Sequence, residues 1–143
     1  MKTENHTLEV YKLCVEMADR LSARRGLANT YYIGLESALS AGLGLLIGNG
    51  ESLSTRKVVT LSLISLTLSL LWWIQITSHR NLSTAKYKVI HDLERELQVR
   101  PFTNEWDYIK SDRKWHLDLT HVERIIPIIF LLLNLLLIFT AAK

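Results

Sequence analysis

The stretch ANTYYIGLESALSAGLGLLIG, residues 28–48, is nearly long and apolar enough to cross a bilayer, yet Glu36 sits in its middle as the only charge. At ~1.5 Å of rise per residue, about 20 helical residues cover the roughly 30 Å of hydrocarbon in a membrane. A carboxylate at that depth is costly unless something encloses it or a proton neutralises it. Neutralising an ordinary glutamate at neutral pH costs about 3.7 kcal/mol, which caps the penalty.

Two further apolar blocks follow: KVVTLSLISLTLSLLWWIQIT (57–77) and IIPIIFLLLNLLLIFTA (125–141). Over 143 residues the composition is 48% hydrophobic and 22% charged, but the apolar residues pile into these blocks and the charges fill the gaps. That segregation is the mark of a chain that meets two solvents. The reading is an all-α integral membrane protein with three transmembrane helices, two of them extended by cytosolic amphipathic helices, forming a homo-oligomeric ring. The expected order is a cytosolic amphipathic helix (1–26), a first span (27–48), a short external loop (49–56) and a second span (57–77). A cytosolic helical region (78–120) and a third span (121–142) complete it. Thr120 and Glu123 read as a capping box that starts the third span, Arg124 as a snorkelling cation, and Pro127 as an internal kink.

Orientation follows from the cations. Fourteen of the 17 lysines and arginines fall in the N-terminal arm, in the region between spans two and three, and at the start of span three (Arg124), which places the arm and that region in the cytoplasm and the C-terminus outside. The first 25 residues hold no apolar run, so no cleavable signal peptide is expected and the first span serves as an uncleaved anchor.

In the arm, Val10, Cys14, Met17 and Leu21 recur at helical spacing, with Tyr11 and Ala18 widening the stripe. Leu82, Ala85, Val89, Leu93 and Leu97 form a second stripe after the second span. Gly26 alone rarely stops a helix, so one long helix from about Thr7 to Gly48 is expected, and another running out of span two. The two stripes are expected to pack on each other or on copies from other subunits, the alternative being that the helices lie on the membrane surface as basic amphipathic helices. After Arg100-Pro101 a short helix is expected, with Thr103 or Asn104 as its N-cap.

On the first span, Asn29, Tyr32, Glu36, Ser40 and Gly44 share one helical face, which is taken to point at a pore or a subunit interface. Ser40, Gly44 and Gly48 are small residues that let helices approach closely, and Ser62, Ser65 and Ser69 form a polar packing seam on the second span. Span three carries only Asn134 as a polar residue and is expected to face lipid. A three-span chain of this size is not expected to enclose a carboxyl alone, whereas a ring of subunits could. Three readings of Glu36 stay open: a carboxylate ring lining a pore, a hydrogen bond at a subunit interface, or a group one turn below the membrane surface. The pairs Tyr31-Tyr32 and Trp72-Trp73 read as aromatic belts at the inner leaflet.

The five histidines share no metal-ligand spacing, no glycine-rich phosphate loop is present, and no serine or cysteine comes with a base. A lone cysteine excludes an intramolecular disulfide. The chain is therefore read as no enzyme, with no metal and no cofactor. Its basic residues are explained by topology, and no nucleic-acid partner is expected. The partners are copies of itself and membrane lipids, with a cytosolic ligand or protein left open.

The segments YKLCVEMADRLSARRGLANTYY (11–32), SHRNLSTAKYKVIHDLERELQVRPFTNEW (78–106) and LTHVERIIPIIF (119–130) resemble the RipA family of octameric bacterial inner-membrane proteins. The resemblance implies a homo-octamer in the bacterial inner membrane, with no established enzymatic activity. In the RipA-like pattern an Asn-Thr pair commonly stands where this chain has Glu36-Ser37, which implies that the position needs polarity more than charge. The layout is also similar to SLATT domains, which implies a pore-forming effector triggered by a cytosolic nucleotide signal. The function expected is a pore or channel-like effector gated from its cytosolic helices, the alternative a non-conducting scaffold for envelope homeostasis or partner recruitment.

Overall fold

The computed structural model describes residues 2–48, 55–111 and 119–141, and the described residues are helical almost throughout. The order is α1 (Lys2–Gly48), α2 (Thr55–Leu97), α3 (Pro101–Ser111) and α4 (Leu119–Ala141). Helix α1 runs 47 residues without a break at Gly26, where the cost of a mid-helix glycine is only about 1 kcal/mol. Two compact units emerge: residues 1–25 with 78–118, and residues 26–77 with 119–143. Both α1 and α2 contribute to each of them.

In the first unit Ala18, Leu21 and Ile90 are buried, and Glu94 is buried with them. On α1 the expected stripe is kept at Ala18 and Leu21, and the departure lies at Met17 and on α2. Met17, Leu82 and Val89 are exposed, and the inward line on α2 passes through Ile90 and Glu94. The face is turned because α2 must present Glu94 to the start of α3. Helix α2 stops at Gln98, whose φ of 55° is left-handed, while the Val99 N–H donates to the Glu94 carbonyl at 3.2 Å. Pro101 then opens α3 in the first helical position, where its missing N–H costs nothing.

The second unit is turned inside out relative to a water-soluble bundle. Its interior holds Glu36, Ser62, Ser65, Ser69 and Asn134 beside Leu43, Val58, Trp72 and Ile76. Large aliphatic side chains such as Leu63, Ile64, Leu70, Ile74, Ile129, Leu132 and Leu136 lie on its outside. Hydrocarbon as the surrounding solvent explains both halves of that arrangement.

Among the described residues two helices are long and apolar enough to cross a membrane, α2 and, within α4, Val122–Thr140. Helix α1 does not qualify by that measure, so three spans are not established by composition and length. Asn29, Glu36 and the run of serines and glycines dilute its apolar content. The expected capping box falls partly outside the described side chains, because Thr120 is among those left undescribed.

Candidate functional site

In the second unit three helices each present a short line of residues at spacings of three and four. Helix α1 brings Asn29, Tyr32 and Glu36, α2 brings Ser62, Ser65, Ser69, Trp72 and Ile76, and α4 brings Pro127, Phe130 and Asn134. Glu36 is completely buried. The Ser65 hydroxyl donates to its Oε2, and the Ser69 hydroxyl donates to its Oε1 at 2.5 Å. Asn134 Nδ2 in turn donates to Ser65 Oγ at 2.7 Å and to the Phe130 carbonyl at 2.8 Å. The hydrogen bonds thus run from α4 through α2 and end on the α1 carboxyl. Ser62, one turn along the same α2 face, is buried, and its hydroxyl has no hydrogen-bond partner among the described residues.

Next to this network lies an aromatic layer. Trp72 is buried, stacks on Tyr32 with ring centroids 5.7 Å apart, and donates its indole N–H to Asn29 Oδ1 at 3.0 Å. Phe130 closes the other side at 6.4 Å. The belt reading therefore does not hold for Trp72 or Tyr32, which turn inward; Tyr31 is exposed. Trp73 lies half-buried beneath the Arg124 guanidinium, 5.6 Å from its ring, and Arg124 also donates to Thr77 at 3.2 Å.

The nine residues picked from sequence are thus divided. Ser65 and Ser69 each bond Glu36 inside a single chain, so no second subunit is required to enclose the carboxyl. The expectation failed because α2 supplies two hydroxyls and α4 an amide at the level of the α1 carboxyl, which is enough to surround a side chain of this size. Asn29 and Tyr32 join Trp72, while Ser40 and Gly44 are exposed, and a Cβ added at Gly44 would meet nothing within 4 Å. Gly48 ends α1, and its surroundings lie outside the described residues. Asn134 and Trp72 were not singled out as site residues. The signal for Asn134 was legible, since one amide in an otherwise apolar helix must find a partner.

The first unit holds a second polar cluster. Glu94 accepts from the Phe102 N–H at 2.7 Å, the Thr103 N–H at 3.2 Å and the Thr103 hydroxyl at 2.6 Å. The cap of α3 is therefore a side chain of α2, not Thr103 or Asn104, and Thr103 serves by binding that cap. His91 Nδ1 lies 3.2 Å from Glu94 Oε2 and 3.1 Å from Thr103 Oγ1. Because the Thr103 hydroxyl gives its hydrogen to Glu94, Nδ1 faces acceptors on both sides and carries the ring proton. Burial pushes the Glu94 carboxyl up, but the bonds from Thr103, Phe102 and His91 outweigh it and hold the group below its ordinary value. Tyr11 is pushed up by burial and by the negative charge of Glu94.

A model of the octameric membrane protein family (8xMP) matches residues 8–142, nearly the whole chain. The chain belongs to that family. It is accordingly a membrane protein of a homo-oligomeric family, in keeping with the inverted interior of the second unit. No curated protein and no solved structure matches the chain.

Proposed function

We propose that the protein assembles as a homo-octameric ring in the bacterial inner membrane and acts as a pore or channel-like effector gated from its cytosolic helices. In this reading α1 crosses the membrane as a third span, with the N-terminus inside and the C-terminus outside. The supporting observation is the face of α1 turned away from Glu36. Thr30, Gly34, Ser37, Ala38, Ala41 and Gly42 are exposed, and added Cβ atoms at Gly34 and Gly42 would meet nothing within 4 Å. The free surfaces of α2 and α4 carry large aliphatic residues suited to lipid. Small residues and hydroxyls suit a helix that meets its copies around an axis. No catalytic step belongs to this reading.

One observation favours the alternative, a non-conducting scaffold for envelope homeostasis or partner recruitment. With Glu36 enclosed, the exposed face of α1 between Gly26 and Leu45 carries no charged side chain to attract ions. Purified rings in planar bilayers discriminate the two. The channel reading expects steady currents that fall at least tenfold when Ser37→Trp or Ala41→Trp fills the axis and that survive Glu36→Gln. Octamers that pass no current under any ligand tested establish the scaffold instead.

A further inference from the structure

We propose that the open groove between α1 and the start of α3 is a socket for a second copy of this chain, filled by Trp106 and Lys110 of the neighbouring α3. The groove holds about 520 Å³. Tyr11, Val15, Pro101 and Phe102 give it an apolar lining, and Glu16 and Asp19 outnumber Lys12 among the charged residues beside them. Glu16 is tied to Arg20 at 2.6 Å, whereas Asp19 is exposed and has no ion pair among the described residues. The matching knob belongs to the same unit. Trp106 is 55% exposed, and Lys110, one helical turn on, holds its ammonium 5.6 Å from the indole centre.

Three observations select a second copy as the occupant. The chain belongs to an octameric family, so its copies meet one another. The knob carries an aromatic ring with a cation on it, and the socket offers an apolar floor with acidic charge in surplus, so shape class and charge both match. Knob and socket are also made of different residues. One contact therefore leaves each copy with a free knob or a free socket, the heterologous arrangement that closes into rings. A membrane surface fits less well, because Glu105 and Asp107 flank Trp106, and lipid headgroups select faces rich in lysine and arginine. The contact rests on self-assembly alone and does not require that the ring conducts.

Cross-linking of the full-length protein in native membranes tests the contact. In a Cys14→Ser background, Asp19→Cys with Lys110→Cys is treated with a short bismaleimide and run on a denaturing gel. The expected result is a ladder of linked chains that extends past pairs toward eight. The two single variants, co-expressed with different tags, are expected to give a mixed pair that neither gives alone. Linkage confined to one chain, pairs that never grow, or octamers that stay unlinked overturn the contact and leave the ring standing; a chain that stays monomeric overturns both. A benzophenone amino acid at position 106 separates the occupants. Capture of a second copy supports the contact, and capture of lipid or of another protein by octameric particles overturns it.

Discussion

Glu36 and Glu94 are both fully buried, and they solve that problem with different donors. Glu94 keeps its charge because two backbone N–H groups at a helix start, a hydroxyl and an imidazole point at it. Its folded value lies below the ordinary glutamate value. The stability it contributes is therefore complete above that ordinary value and is lost as pH falls through the lower folded value. Hydrogen exchange on residues 101–111 checks this: protection is expected to hold at neutral pH and to collapse in acid. Glu94→Gln, which turns an acceptor into a donor facing N–H groups, is expected to cost about 1–3 kcal/mol and to expose α3 at neutral pH. In the second unit Asn134→Leu removes the donor that fixes Ser65. A loss of about 1 kcal/mol in thermal or denaturant unfolding is expected, small because Ser65 retains Glu36.

At the scale of elements, helix type and continuity were legible and helix rotation was not. Uninterrupted apolar or amphipathic runs, with glycine as the only breaker at Gly26, specify long α1 and α2 helices. Which face turns inward depends on partners far along the chain. The stripe from Leu82 to Leu97 scored as the buried face, yet Ile90 and Glu94 are buried because α3 needs a cap. In a bilayer the apolar stripe loses its meaning as a guide to the interior, since lipid receives it as well as a core does. The polar positions carry the information, and for that reason the serines of α2 marked the seam while Trp72 was misread as a belt. Trp72→Ala is expected to cost about 3–5 kcal/mol, because it opens a cavity against Tyr32 and Phe130 and leaves Asn29 without its indole partner. At the end of α2, Gln98→Gly is expected to raise stability by up to about 1 kcal/mol by relieving the left-handed backbone, read as a higher melting temperature.

At the scale of the whole molecule, membership in the octameric membrane protein family and the inverted interior agree on a self-assembling membrane protein. Helix α1 has two faces. One closes on Ser65, Ser69 and Trp72 within the chain, and the other, through Gly34, Ala38 and Ala41, is exposed and is the face that the proposed ring would turn to its axis. The measurement that tests this most directly is thiol labelling of Ala41→Cys in a Cys14→Ser background, in native membranes, with a charged membrane-impermeant reagent. Thiolate chemistry needs water, so a position facing lipid or packed protein stays unreacted. The account predicts rapid labelling at residue 41, with Ser69→Cys in the same background protected. An unreactive Ala41→Cys in assembled octamers would contradict an open axis lined by α1.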